Sequence, residues 1–246
     1  MKTSGELKLE AKQMLQGRWK DAVLMNLIPT LIGIALAAII IIPLVTIIGG
    51  IALLNPDAVD NVANNIQSGN GDISWTAQLG NQGSGIISGL ITTLFVSGMS
   101  WTFLDIYRGK RVDINPLNDV FRAFKSPFLV GVLCIYLLST IFIGLWSLLL
   151  IIPGVVKSYS YSQANFIYYD ILEGTGQKPG YLECITASRR LMDGFKGQLF
   201  WLDLSFIGWH ILALLTCGIG YLWLNPYIYA TKAAFYNNLP NEADTF

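Results

Sequence analysis

Four apolar stretches dominate the chain, and their lengths set what it can fold into. They run from Ala22 to Leu54, from Gly85 to Tyr107, from Pro127 to Leu172 and from Leu199 to Leu239. A helix crosses hydrocarbon with about 20 apolar residues. The first stretch is longer than one crossing needs and must tilt, kink or project, with Pro43 as the expected kink. The third divides at Ile152-Pro153-Gly154, where a turn fits best, and the fourth around Cys217-Gly218-Ile219-Gly220. The pattern thus predicts six spans, at about 22–54, 85–107, 127–151, 155–172, 199–217 and 221–239. Between the first two lies a polar segment, 55–84, rich in Asn, Gly, Asp and Gln.

Three further segments repeat one device. Leading from residues 1–21 into span one, Leu7, Ala11, Met14, Leu15 and Ala22 form a helical stripe, opposite Lys8, Lys12 and Gln16. Thr3 and Glu6 have capping-box spacing at its start. In 112–125, Asn115-Pro116 opens a short helix with the stripe Leu117, Val120, Phe121 and Phe124. In 181–197 the stripe is Cys184, Ala187, Leu191 and Phe195, with Arg189 and Arg190 off it. Each ends in an aromatic and a lysine (Trp19-Lys20, Phe124-Lys125, Phe195-Lys196) and then enters a span. Basic amphipathic helices ending in an aromatic suit the membrane interface, where lysine meets anionic lipid. Three ordinary loops sharing a charge bias are the alternative. The even spans echo one another too, Tyr159-Ser-Tyr161 with Tyr168-Tyr169 against Tyr227-Ile-Tyr229 with Phe235-Tyr236.

Composition and charge sharpen this. Apolar residues make up 53% and charged residues 13% of 246, against roughly 25% charged in a soluble domain. No Lys or Arg occurs between Lys20 and Arg108, while basic residues crowd the leader and the segments after spans two and four. That bias puts both termini in the cytoplasm and 55–84 outside. The sequence predicts a single all-α membrane domain over 1–246, with six transmembrane helices in three hairpins, each led by a cytoplasmic interfacial helix. The mixed-charge leader does not resemble a cleaved signal and is expected to be retained. This composition and charge distribution exclude a soluble globular enzyme and a nucleic-acid binder, and the balance of 16 basic against 16 acidic residues gives no general attraction to nucleic acid. Cys134, Cys184 and Cys217 have neither an even count nor metal-ligand spacing.

Polar residues inside apolar spans are the candidate chemistry. Asp203 and Lys232 lie at comparable depth in spans five and six, so a pair would remove two isolated charges from lipid. It would serve as a clamp or as part of an ion or substrate path. Lys157 begins span four beside the Pro-Gly turn, and His210 is the lone histidine, inside span five. Asp105 and Asp170 end spans two and four and are expected to be solvated. Gly85, Ser88-Gly89 and Ser97-Gly98 give span two a small-residue face for close helix approach. The stretch Tyr159 to Tyr169, with Gln163 and Asn165, is too polar for acyl chains and should face a bundle interior. Trp19, Lys20, Phe124, Lys125, Arg189, Arg190, Phe195 and Lys196 are the expected lipid contacts. No HExxH, GxSxG, Walker or dinucleotide fingerprint occurs. No catalytic, cofactor or metal residue is therefore expected.

Ile152-Pro-Gly-Val-Val-Lys157-Ser-Tyr-Ser-Tyr161, Ser188-Arg-Arg-Leu-Met192-Asp-Gly-Phe-Lys196, Leu204-Ser-Phe-Ile-Gly-Trp209 and Gly218-Ile-Gly220 resemble signature segments of a bacterial integral-membrane family, domain of unknown function nine-seven-five. The resemblance covers nearly the whole chain and implies a multi-helix fold in the plasma membrane. It brings no reaction, cofactor or active site. The expected function is non-enzymatic, acting on membrane lipid or other membrane proteins, in envelope stress or bacteriocin self-protection. A small transporter or channel is the alternative.

Overall fold

The computed structural model describes residues 2–54 and 75–240. All regular structure there is helical: α1 (Ser4–Leu15), α2 (Trp19–Leu54), α3 (Trp75–Tyr107), α4 (Pro116–Val120), a 3₁₀ turn (Arg122–Phe124), α5 (Phe128–Leu149), α6 (Ile151–Tyr161), α7 (Ala164–Thr175), α8 (Tyr181–Leu191), α9 (Lys196–Leu204), α10 (Ile207–Leu215) and α11 (Tyr221–Asn237). Among the described residues, three stretches are long and apolar enough to cross a membrane: Gly85–Tyr107, Phe128–Leu149 and Lys196–Leu215.

The chain forms two compact units, 29–89 and the remainder. In the first, α2 continues unbroken through Pro29 and Pro43, and Leu31, Ile34, Ile39, Ile42 and Val45 are more than half exposed. The polar segment read as 55–84 is shorter than its composition suggests. Residues 75–84 begin α3, so helix propagation from the apolar part outweighs the poor propensity of Gly and Asn. Positions 55–74 lie outside the described residues.

The larger unit is built around the inner half of α3. Every residue from Ser97 to Ile106 is buried, so this helix is covered on all sides. Trp101 stacks on Tyr169 of α7 and meets Phe128 of α5, while Phe95 packs on Phe121 and Phe124. The small-residue face is used at Gly98, where an added Cβ would lie 2.9 Å from the Asp119 carbonyl oxygen. Gly98 thus seats the short connection rather than another span. Gly85 has nothing within 4 Å.

Helix α5 turns back into α6 at Leu150, whose extended backbone breaks the helix. The break falls two residues before the expected Ile152-Pro153-Gly154, because Pro153 is tolerated in a first helical turn, where amide hydrogens have no helical partner. A Cβ at Gly131 would sit 2.0 Å from the fully buried Tyr168 ring. That glycine lets α5 and α7 close on each other.

The three leading segments differ from their expected form. In α1 the capping box of Thr3 and Glu6 forms, but Leu7, Ala11 and Leu15 are at most 2% exposed and pack on protein, with α11 the main neighbour. A chain turn through Gly17, at φ +82°, ends the helix, and Ala22 belongs to α2. Segment 112–125 is no single helix, only α4 and the 3₁₀ turn, with Leu117 exposed and Val120 buried. In α8 the buried face is Cys184, Ile185 and Ser188, set against α5, α6 and α7. The buried faces of α1 and α8 thus pack on neighbouring helices, while Leu117 stays exposed.

Candidate functional site

Two helices of the larger unit are interrupted, and a cavity lies beside both. The stretch expected as the fourth span breaks at Ser162–Gln163 between α6 and α7, and that expected as the fifth at Ser205–Phe206 between α9 and α10. Breaks in an apolar setting free backbone groups that must find partners. Ser188 of α8 repairs the first: its hydroxyl donates to the Ser160 carbonyl at 2.8 Å and accepts the Gln163 amide at 3.2 Å. Lys8 repairs the second, its Nζ donating to the Ser205 carbonyl at 2.8 Å and sitting 4.0 Å over the Phe206 ring. Burial holds the Lys8 ammonium below its ordinary pKa. The N-terminal helix therefore caps a broken core helix.

The cavity, about 480 Å³, is bounded by α3, α6, α7, α9 and α11. That volume falls in the range of small-molecule sites. Ser97, Ser100 and Trp101 line it from α3, Gln163 and Asn165 from the first break, Asp203 from α9 and Lys232 from α11. Gln163 is 3% exposed, and its side-chain oxygen finds no donor among the described residues; nor does that of Asn165. The Gln163 amide nitrogen donates to Ser162 Oγ at 2.9 Å.

Lys232 Nζ lies 3.0 Å from Asp203 Oδ1, joining α9 and α11 across the cavity wall. Tyr159 lines the same cavity as Asp203. Both partners keep about a third of their side-chain surface, 37% and 31%, so solvent screening reduces the pair's worth. Asp203→Ala and Lys232→Ala should each lower thermal stability in detergent, and the double variant should recover part of the loss. Pairs in contact couple by about 0.5–3 kcal/mol, and this one belongs at the lower end. Strictly additive losses would show the charges act independently.

A second polar system joins the C-terminal ends of α3, α7 and α11. Asp105 is 2% exposed, contrary to the expectation that it is solvated. Tyr169 donates to its carboxylate at 2.9 Å and Arg122 at 2.6 Å. Asp170 is only partly open, held by two bonds from Arg108 at 2.6 and 2.9 Å and one from Tyr236 at 2.8 Å. Of the echoed tyrosines, Tyr169 of α7 thus reaches Asp105 of α3, and Tyr236 of α11 reaches Asp170 of α7. That aspartate ligation raises the Arg108 pKa. Alongside, Glu10 of α1 accepts from Tyr107 at 2.7 Å and from Lys2. Burial pushes the Glu10 pKa up, but those bonds outweigh it and leave it below the ordinary value.

The remaining expected site residues lie apart from the cavity. Lys157 sits over the Trp146 ring at 4.7 Å, a cation–π contact between α6 and α5. His210 of α10 faces Tyr221, ring centroids 5.7 Å apart. Trp19 opens α2 against Tyr227, Phe124 closes the 3₁₀ turn, and Phe195 is the residue before α9. Lys20, Lys125, Arg189 and Arg190 are exposed, and Lys196 pairs with Asp193 at 3.1 Å. Sequence reasoning missed Ser97, Ser100 and Trp101 as cavity residues; the run Ser97-Gly98-Met99-Ser100-Trp101, small and polar inside an apolar span, was the available signal.

The family model for "Protein of unknown function (DUF975)" matches residues 1–160 and 148–243, nearly the whole chain. The chain belongs to that family. No curated protein and no solved structure matches it. Family membership adds no reaction to the site, so its chemistry rests on the cavity residues themselves.

Proposed function

We propose that this chain is an integral protein of a bacterial plasma membrane that works by binding lipid or protein rather than by catalysis. We place six crossings in it, at 22–54, 85–107, 127–151, 155–172, 199–217 and 221–239, paired as three hairpins with both termini cytoplasmic. Helices α6 with α7, and α9 with α10, would each make one interrupted crossing. The observation that carries the reading is an inverted partition of polarity in the larger unit. Leu148, Leu149, Ile151, Ile152, Leu214 and Leu215 are 70–86% exposed, while Asn26, Asp105, Gln163 and Thr231 are nearly covered. Such a surface suits lipid and would aggregate in water. Exposed Lys20, Lys125, Arg189 and Arg190 would meet anionic headgroups, worth about 1 kcal/mol each near the surface and screened by salt. A role in envelope stress or bacteriocin self-protection fits contacts of this kind.

The native cysteines test the orientation. Cys217 is exposed in the turn between α10 and α11, the end that this topology places outside. An impermeant maleimide should label intact cells expressing the wild type and not those expressing Cys217→Ser. Cys184 should stay silent at neutral pH, because burial pushes its thiol up to about 11. Labelling at Cys217 only after permeabilisation would invert the topology.

A small transporter or channel is the second reading, favoured by a polar cavity flanked by two interrupted helices. Protein-dependent leak from dye-loaded vesicles would support it.

A further inference from the structure

A second cavity, about 370 Å³, runs along α10 and α11. Trp209, Leu212, Ala213 and Thr216 line it from α10, one helical face spaced i, i+3, i+4 and i+7. Helix α11 repeats that spacing from Gly220 to Tyr227, so the groove follows two turns of each helix, roughly 10 Å. Its floor is low where Ala213 meets Gly220, since an added Cβ on that glycine would lie 2.8 Å from the Ala213 Cα. Its rims are tryptophans, Trp209 and Trp223, one from each helix and both half exposed. Trp19 closes one end against Tyr227. Lys12 lines that end too, one turn of α1 beyond Lys8, whose carbonyl accepts from the Tyr227 hydroxyl at 3.2 Å. Resting on the membrane reading above, we propose that this groove holds one acyl chain of an anionic phospholipid, with the phosphate at Lys12.

The side chains of the groove leave a ligand little but donors. The Thr216 hydroxyl already donates to the Ala213 carbonyl at 2.7 Å and accepts the Gly220 amide at 2.9 Å. The Tyr227 hydroxyl is engaged by Lys8. What remains is the Lys12 ammonium and three indole N–H groups, which donate and do not accept. Lys12 is exposed and forms no ion pair among the described residues. No carboxylate among the described residues lines the groove, so a ligand's own cation would find no counter-charge there. The occupant therefore needs an apolar length, acceptor oxygens at one end and net negative charge. A phosphatidylglycerol has all three. A phosphatidylcholine has the chain and the phosphate, but its ammonium stays unpaired. Inorganic phosphate or a polyol has nothing for the tryptophan rims to cover.

Native mass spectrometry of the full-length protein tests this, released from nanodiscs of dioleoyl phosphatidylglycerol and dioleoyl phosphatidylcholine in equal amounts. We expect wild type to retain the glycerol lipid at least tenfold over the choline lipid. Lys12→Gln should bring that ratio to parity, and Lys12→Arg should keep it. Lys178, exposed in the α7–α8 connection and outside the groove, is the control, and Lys178→Gln should leave the ratio unchanged. Leu212→Trp, at a half-exposed groove position, should fill the space and lower retention of both lipids. Equal retention of the two lipids by wild type overturns the proposal, as does a preference that survives Lys12→Gln or falls as far in Lys178→Gln. A protein released without lipid, whether monomer or a dimer of two copies, overturns it as well. The wild-type ratio and Lys12→Arg decide even if Lys12→Gln does not fold. Cys217 labelling of the same protein keeps the outcomes apart, since lipid selection can fail while the membrane topology stands.

Discussion

Arg122→Ala should be among the most destabilising single changes in the larger unit, costing about 3–5 kcal/mol of stability in detergent. The loss comes less from the missing attraction than from what stays behind. Asp105 is 2% exposed on a helix covered on every side, so without the guanidinium its carboxylate is a buried, under-compensated charge. Arg122 also donates to the Tyr169 oxygen and lies 4.9 Å from that ring's centroid, so its removal loosens a second group. The double variant Asp105→Asn with Arg122→Ala should regain much of the loss, because the amide needs no counter-charge and still accepts from Tyr169. Thermal unfolding of the wild type, the two single variants Arg122→Ala and Asp105→Asn, and the double variant measures this. Equal stability of Arg122→Ala and wild type would mean that Asp105 is hydrated after all.

That misreading of Asp105 shows where the sequence runs out. An aspartate at the end of an apolar run lies one turn from water if its helix is peripheral, and periodicity does not say which helix is central. Its partners come from positions 122 and 169, set by how α4, the 3₁₀ turn and α7 fold over α3. The echo Tyr168-Tyr169 and Phe235-Tyr236 carried a signal, since a tyrosine recurring at corresponding positions, each following a stretch that ends in Asp105 or Asp170, suggests a ladder between them. The leading segments show a different ambiguity. An apolar stripe with a basic flank reads the same whether lipid or protein covers it, and α1 is covered by protein at Leu7, Ala11 and Leu15.

The cavity was half legible. Asp203 and Lys232 stood out because a charge in an apolar run needs a partner at its own depth. Gln163 and Asn165 stood out because the stretch around them is too polar for acyl chains. The breaks at Ser162–Gln163 and Ser205–Phe206 were not legible. Neither contains Gly or Pro, and each persists because a distant residue, Ser188 or Lys8, bonds the freed backbone. Hydrogen bonds spanning 25 and 197 residues leave no local trace.

Trp101 joins the packed centre to the cavity, and its removal should cost about as much as that of Arg122. The indole is fully buried, stacked on Tyr169 at 4.9 Å and 15°, and its Nε1 donates to the Asn165 carbonyl at 3.2 Å. Truncating a buried Trp to Ala typically costs 3–5 kcal/mol through lost contact and the void left behind, and here the Asn165 carbonyl also loses its donor. Trp101→Phe separates the two contributions. It keeps most of the aromatic contact and leaves the carbonyl unpaired, so its cost should fall near 1–3 kcal/mol. Trp209, 52% exposed on α10, is the internal control, since Trp209→Ala empties a surface site and leaves no void in the core. Thermal unfolding of the three variants in one detergent should rank Trp101→Ala well below Trp101→Phe, with Trp209→Ala near wild type. A Trp101→Ala protein as stable as Trp209→Ala would mean that the inner half of α3 is not the centre of this fold.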